Sequence, residues 1–115
     1  MAHNCVTKGG REEAEYLGHY GEALANNGKA VQGLFQVQRA LDLMRCDLTG
    51  TVEERLIVTS GLYGRLAKCA FKSFRLILAV RSYRTGRKQA EELAYRYGMP
   101  QRLNQYRLRL RERSV

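Results

Sequence analysis

Residues 62–80 read LYGRLAKCAFKSFRLILAV, which is the most regular stretch of the chain. On a helical wheel, its apolar residues fall on one broad arc and its basic residues fall together on the opposite side, at about 100° per residue. The stretch therefore predicts one amphipathic helix with a core face and a cationic face. The predicted core face is Leu62, Tyr63, Leu66, Ala70, Phe74, Ile77 and Val80, and the cationic face is Arg65, Lys68, Lys72 and Arg75.

Two helical patterns precede this stretch. The first covers about residues 11–26 and ends at Asn26-Asn27-Gly28, because Asn and Gly tolerate the left-handed conformation after a helix. The second covers about residues 29–45 and has apolar residues at heptad-like spacing, which favours core packing, with a dimer interface as the alternative. The expected apolar face of the first helix is Tyr16, Tyr20, Ala23 and Leu24, and that of the second is Leu34, Val37, Leu41 and Met44, widened by Val31 and Phe35.

The remaining sequence is also helical in pattern. Thr51 and Glu54 form a capping box, which predicts a helix that runs from there toward Tyr83, with a possible break near Ser60-Gly61. Thr85-Gly86 is expected to interrupt the helix, which resumes over residues 87–97. Gly98-Met99-Pro100 is a turn, after which Pro100 begins a last helix over residues 100–113.

These patterns predict an all-α fold, a compact single domain of four or five helices. A chain of 115 residues is long enough to bury a core without disulfides or metals. We expect residues 11–60 to form an acidic-to-neutral scaffold or dimer part and residues 61–115 to form a basic part. The two ends, residues 1–10 and 111–115, are expected to fray.

Charge is divided unevenly between the two parts. Residues 1–60 contain six Lys/Arg and eight Asp/Glu, a net charge of −2, whereas residues 61–115 contain fourteen and three, a net charge of +11. A one-sided positive field attracts a polyanion, and each nucleic-acid phosphate that Lys or Arg neutralises releases a condensed counterion. We therefore expect a nucleic-acid partner, with DNA favoured over RNA. No Asp or Glu occurs between Arg55 and Glu91 to form salt bridges within the cationic helix.

Residues 88–110 resemble a helix-turn-helix motif, with Gly98 at the corner and a polar second helix. Polar residues at the start of that helix would contact base edges, where Arg pairs with guanine and Asn or Gln with adenine. The apolar residues Leu103, Tyr106 and Leu110 come one position earlier than the motif requires, so an ordinary helical hairpin is the alternative. The expected base-reading residues are Gln101, Arg102, Asn104 and Gln105.

The leading hypothesis is a small DNA-binding transcriptional regulator, with a homodimer as a possibility. The expected phosphate-binding residues are Arg65, Lys68, Lys72, Arg75, Arg84, Arg87 and Lys88, with Arg107 and Arg109 in the Arg-rich C-terminal helix. The first alternative is an RNA-binding protein that uses the Arg-rich segment over residues 102–113. The second is a protein-interaction module, an inhibitor or adaptor, that docks on an acidic partner. Tyr95 is one of the tyrosines that would stack on bases, although packing is favoured for the tyrosines as a group.

No motif of a known catalytic class is present: the chain lacks a P-loop, a G-x-S-x-G and an H-E-x-x-H sequence. We therefore predict no enzyme activity, no catalytic residue, no cofactor and no metal site. Cys5, Cys46 and Cys69 are odd in number and widely spaced, which argues against a disulfide framework and favours a reduced, cytoplasmic location. A membrane partner is not expected, since the longest apolar run has five residues and the apolar arc should be committed to the core.

Overall fold

Five α-helices make up the fold in the computed structural model, which describes residues 10–47 and 49–114, with side chains as far as residue 108. The helices are α1 (Gly10–Asn26), α2 (Ala30–Cys46), α3 (Val52–Lys72), α4 (Leu76–Tyr97) and α5 (Gln101–Ser114). No strand occurs in the described residues, so the prediction of an all-α domain of four or five helices is confirmed. Gly10 begins α1 and residues 111–114 continue α5, while the fraying predicted for residues 1–9 and 115 lies outside the described residues.

The helices α1 and α2 form an antiparallel hairpin whose backbones touch. A Cβ atom built on Gly21 of α1 would lie 2.7 Å from the carbonyl oxygen of Gly33 on α2 and 2.7 Å from a methyl group of Val37. No side chain fits at such a contact, because real Cβ atoms do not approach other heavy atoms so closely. The glycines therefore set the distance between the two helices.

The buried face of α1 differs from the predicted one. Tyr16 is 66% exposed, and its ring stacks on the exposed ring of Tyr20 with 6.3 Å between centroids. The predicted core face is wrong for Tyr16, Tyr20 and Ala23, which are all exposed, because the close hairpin is made by the small residues on the other side of α1. The buried residues of α1 are Gly10, Ala14, Leu17, Gly18, Gly21 and Ala25.

The apolar seam of α2 is confirmed as core. Leu34, Val37, Leu41 and Met44 are all buried within the single chain, so the interpretation as core packing is confirmed. The prediction that Val31 and Phe35 widen this seam is wrong, because both side chains are exposed on the outer side of the helix. The core stripe is thus narrow, and two large apolar side chains remain in solvent.

The helix α3 begins at the predicted capping box. The Glu54 amide donates to Thr51 Oγ1 at 3.1 Å, and the Thr51 amide donates to Glu54 Oε1 at 2.8 Å. The predicted break at Ser60-Gly61 does not occur, because both residues are buried packing positions and Gly61 lies against the Arg102 guanidinium of α5. The helix therefore runs unbroken to Lys72.

The stretch 62–80 is two helices rather than one. The chain turns at residues 73–75, where Phe74 has a positive φ of 63°, and α4 then runs back antiparallel to α3. Thr59 on α3 accordingly donates to Gln89 on α4 at 2.8 Å. The predicted arc is correct as far as Ala70 but wrong for Phe74, Ile77 and Val80, which the reversal leaves exposed.

The helix α4 passes through Thr85-Gly86 without the predicted interruption. The Thr85 hydroxyl donates to the Arg81 carbonyl oxygen at 2.9 Å, and Gly86 is buried beside α3 and α5. Glycine is used at position 86 because a side chain would collide with Tyr63 and Tyr106. The residue that resembled a helix breaker is therefore a packing position.

Two apolar clusters hold the helices together. The larger cluster joins α1, α2 and α3 with Ala79 of α4, and α1 runs parallel to α3, since Gly18 contacts Leu62 and the Gly21 carbonyl faces Cys69. The smaller cluster consists of Ala90, Leu103 and Tyr106 between α4 and α5. Within the described residues, none of the helices combines the length and apolarity needed to cross a membrane.

Candidate nucleic-acid interface

Arg65 and Lys68 of α3 converge on one carboxylate of α1. Lys68 Nζ lies 2.9 Å from Glu22 Oε2, and Arg65 Nε lies 3.1 Å from Glu22 Oε1. The contact of Arg65 Nε with Glu22 is an ion pair that lacks hydrogen-bond geometry. A terminal guanidinium nitrogen of Arg65, Nη2, lies 3.1 Å from His19 Nδ1. These two candidate phosphate ligands are half-buried and already face an anion from the acidic part of the chain.

Lys72 and Arg75 lie at the corner between α3 and α4. Lys72 is the last residue of α3 and Arg75 is the residue before α4, and both side chains are exposed. The four basic residues predicted as a single stripe are therefore divided between a paired half, Arg65 and Lys68, and an exposed half at the corner. The prediction of one continuous cationic helix face is wrong because the helix ends at Lys72.

An exposed cationic surface lies on α4. Arg81, Arg84 and Lys88 are exposed and occupy positions i, i+3 and i+7, which place them on one side of a helix. Tyr95, which is also exposed, continues this side seven residues after Lys88. We call Arg81, Arg84, Lys88 and Tyr95 the α4 cationic face. Arg81 was missed in the sequence, although its spacing from Arg84 and Lys88 was the signal that could have identified it.

Arg87 differs from these residues because it has an acidic neighbour. Its Nε lies 3.6 Å from Glu91 Oε2, one helical turn further on. Arg96 is paired in the same way with Glu92 at 3.6 Å. The acids of α4 thus neutralise Arg87 and Arg96 rather than the residues of the α4 cationic face.

The predicted helix pair over residues 88–110 is present. Gly98 ends α4 in the left-handed conformation with a φ of 67°, and the Met99 amide donates to the Leu93 carbonyl oxygen at 2.9 Å. Leu103 and Tyr106 face the core, as their spacing indicated, while Leu110 lies beyond the described side chains. This geometry fits a helical hairpin, and its docking into a DNA groove stays a prediction.

Most of the predicted base-reading residues point to solvent. Gln101, Asn104 and Gln105 are exposed on α5, as is Arg107 one turn further on. The side chain of Arg109 lies outside the described residues. Amides and cations are therefore presented together on the first two turns of α5, which is the arrangement that base contacts from such a helix would require.

Arg102 is the exception among the predicted base readers. Its guanidinium donates to the Ile57 carbonyl oxygen at 2.8 Å and to Gln105 Oε1 at 2.7 Å. It lies against Gly61 of α3, where a Cβ atom would be 3.2 Å from Arg102 Cζ. Arg102 therefore joins α5 to α3, and glycine at position 61 makes the space for it.

Tyr106 is the second residue that attaches α5. Its hydroxyl donates to the Ser60 carbonyl oxygen, and its own carbonyl oxygen accepts from the Tyr83 hydroxyl at 3.2 Å. The rings of Tyr83 and Tyr106 meet edge to face, with 5.3 Å between centroids. The interpretation of Tyr106 as a core residue is confirmed, and a stacking role is left to exposed tyrosines such as Tyr95.

The cysteines differ from the sequence expectation. Cys46 is disulfide-bonded. Cys69 is free and fully buried, and burial together with the charge of Glu22 raises the pKa of its thiol to about 11. The bond at Cys46 differs from the expectation of a reduced chain without a disulfide framework. Among the described residues, no group of three His, Cys, Asp or Glu side chains is placed to hold a metal ion.

Comparison of the chain with protein-family models, with curated proteins and with solved structures finds no match. Its function is therefore inferred from its own residues.

Proposed function

We propose that the chain is a nucleic-acid-binding protein, a small DNA-binding transcriptional regulator rather than an enzyme. The observation that carries this proposal is the α4 cationic face, where Arg81, Arg84 and Lys88 are exposed and form no ion pair with the described carboxylates. Arg65 and Lys68 differ from these residues because they share the single carboxylate of Glu22, which ties both side chains to α1.

In this proposal, the cations of α4 bind phosphates and the start of α5 contacts bases. Phosphate contacts supply affinity without sequence information, because they release counterions from any nucleic acid. Sequence discrimination would come from Gln101, Asn104 and Gln105, whose amides can pair with adenine in the major groove. Arg102 has a supporting part, since its bond to Gln105 Oε1 orients that side chain.

Two-fold association on palindromic DNA belongs to the same proposal. The α2 seam does not supply the interface, because it is buried in the core of one chain. A dimer would therefore form through another surface, and sedimentation of the protein with and without duplex DNA measures whether it does.

A cytoplasmic location also belongs to the proposal. In the cytoplasm Cys46 would be a free thiol, because reducing compartments rarely retain disulfides. Thiol labelling of protein taken directly from cells distinguishes the two cases. A labelled Cys46 supports the cytoplasmic location, and an unlabelled one indicates an oxidising compartment.

The test of the proposal is binding to duplex DNA, single-stranded DNA and structured RNA, each over a range of salt concentrations. Replacement of Arg81, Arg84 and Lys88 together by Gln should lower the slope of log affinity against log salt by about 0.9 for each duplex phosphate that the variant no longer binds. The control replaces Lys29 and Arg39, which are exposed before α2 and on it, by Gln, and the effects are compared per charge removed. An equal effect per charge in the two variants would contradict the assignment to α4.

Base reading is tested separately through one uncharged residue. Asn104→Ala should reduce discrimination between target and random DNA by about 1–3 kcal/mol and leave non-specific affinity nearly unchanged. Gln32→Ala on the exposed side of α2 is the control. Preference for structured RNA, with loss of binding on deletion of residues 107–115, would instead support the RNA alternative.

A further inference from the structure

Phe74 combines an unusual backbone conformation with an exposed aromatic ring. Its φ of 63° is the only positive value at a non-glycine residue in the described part of the chain. Its side chain is 87% exposed, more than any other large apolar side chain described. Apart from Gly and, less often, Asn or Asp, residues are disfavoured in this left-handed conformation. An exposed Phe side chain also gains no free energy of burial that would offset the cost.

The same turn occurs elsewhere in the chain with glycine. After α3, the Phe74 amide donates to the Phe71 carbonyl oxygen at 3.1 Å and the Arg75 amide to the Ala70 carbonyl oxygen at 2.8 Å. After α1, the Gly28 amide donates to the Ala25 carbonyl oxygen at 3.2 Å and the Lys29 amide to the Leu24 carbonyl oxygen at 2.8 Å. Both are Schellman motifs, for which glycine is the usual residue. The fold therefore does not explain phenylalanine at position 74.

Phe74 is the centre of a larger apolar surface at the end of the α3–α4 hairpin. The neighbouring apolar residues are also exposed, and Ile77 reaches 77%. These residues lie where the chain reverses at residues 73–75, between the end of α3 and the first turns of α4. We call Phe71, Phe74, Leu76, Ile77 and Val80 the apolar corner.

Cations are interleaved with the apolar corner. Lys72 and Arg75 lie on either side of Phe74, and Arg81 follows Val80, all three exposed. No Asp or Glu occurs in the sequence between Arg55 and Glu91. The carboxylate of Glu22, which lies beside α3, is already bound to Arg65 and Lys68. The corner is therefore both apolar and strongly positive.

We propose that the apolar corner inserts into the surface of a bilayer that contains anionic lipids. Apolar side chains gain by entering the acyl boundary, while flanking Lys and Arg remain among the negative headgroups. Insertion of this kind needs no membrane-spanning helix, and none is found in the described residues. The sequence argument against a membrane partner assumed that Phe74, Ile77 and Val80 belong to the core, but all three are exposed.

Two other occupants fit less well. A second copy of the chain would bring Lys72, Arg75 and Arg81 against the same residues of its partner, and like charges repel in an apolar contact. Single-stranded nucleic acid would stack on Phe71 and Phe74 but would gain nothing from the aliphatic Leu76, Ile77 and Val80. The proposal is independent of the proposed function, which uses other residues of α4 and α5, except that Arg81 borders both surfaces.

The first experiment uses tryptophan as a reporter, because the chain contains none. In Phe74→Trp, the indole emission should shift to the blue with vesicles of phosphatidylcholine and phosphatidylserine but not with phosphatidylcholine alone. Phe35→Trp, at an exposed apolar position on α2, is the matched control and should show no shift. A spectrum at position 74 that anionic vesicles leave unchanged would overturn the proposal, as would a response to single-stranded DNA alone.

The second experiment separates lipid binding from folding. Phe74→Gly should leave the free energy of unfolding unchanged or raise it, because glycine accepts the positive φ, yet should lower vesicle partitioning about tenfold or more. Replacement of Lys72 and Arg75 by Gln should lower partitioning by about fivefold per charge. Replacement of Lys29 and Arg39, which are exposed before α2 and on it, is the control and should lower it less. Partitioning that Phe74→Gly does not change would mean that general positive charge attracts the vesicles, and the proposal would fail.

Discussion

Lys68 Nζ on α3 lies 2.9 Å from Glu22 Oε2 on α1. The other oxygen of Glu22 pairs with Arg65, so one carboxylate from the acidic part of the chain bridges two cations of the basic part. Part of the charge difference between the two parts of the chain is therefore used in ion pairs between them. Only the cations without such a partner are available to an external anion.

Removal of the Glu22 carboxylate tests this interpretation. Glu22→Gln should lower the free energy of unfolding by about 1–2 kcal/mol, because it leaves two half-buried cations without their anion. Urea unfolding of the variant and of Glu15→Gln, an exposed carboxylate on the same helix, measures the difference. Equal stability of the two variants would show that the bridge does not contribute.

Gly86→Ala should destabilise the protein although alanine favours helix by about 1 kcal/mol. The added Cβ atom would lie 2.6 Å from Tyr106 Cζ and 2.8 Å from Tyr63 Cβ, so the helices must separate, at a cost of about 1–3 kcal/mol. Tyr106→Phe in the same chain removes the nearest atom, the hydroxyl oxygen. A double-mutant cycle should therefore show that the second change partly relieves the first, and strict additivity would contradict the contact.

Leu41→Ala should cost about 2–5 kcal/mol, because Leu41 is a buried residue of the α2 seam. Phe35→Ala on the same helix should cost less than about 0.5 kcal/mol, since the Phe35 ring is exposed. Denaturant unfolding at several protein concentrations measures both. A cost for Leu41→Ala that depends on concentration would place the seam in a subunit interface and contradict the fold.

The buried carboxylate of Asp47 should make stability depend on pH. The Thr49 hydroxyl and the Thr49 amide, at 2.9 Å, donate to it, and with Arg11 they hold its pKa below the ordinary value. The stabilisation is therefore complete above the pKa of the unfolded chain, about 3.9, and is lost as the pH falls through the lower pKa of the folded state. The difference in unfolding free energy between the wild type and Asp47→Asn should be constant above about pH 5 and shrink below about pH 4. A constant difference down to about pH 2 would contradict this assignment.

The sequence predicts the features that depend on neighbouring residues. Thr51 and Glu54 are three residues apart and form the capping box, and Gly98 ends α4 as expected. The α2 seam is also predictable, because helical spacing alone brings Leu34, Val37, Leu41 and Met44 to one side. These elements required no knowledge of distant parts of the chain.

The features that the sequence does not predict depend on distant contacts. Gly86 resembles a helix breaker until Tyr63 and Tyr106 are known to lie against it. Glu22 and Lys68 are 46 residues apart, so helical spacing cannot show that they pair. The turn at Phe74 contains neither Gly nor Pro, which are the usual signals of a turn. The sequence pattern therefore shows one helix through residues 73–75, where the structure has a turn between two helices.

The attachment of α5 through its own small cluster divides the stability of the fold into two levels. Ala90, Leu103 and Tyr106 form a cluster of their own, and Arg102 and Tyr106 bond α5 to α3, so we expect α5 to open while the core of α1, α2 and α3 stays closed. Amide hydrogens of α5 then exchange with solvent at a lower free energy than those of α2. A ligand that binds α4 and α5 together closes this opening, and its affinity is measurable as slower exchange in α5 alone.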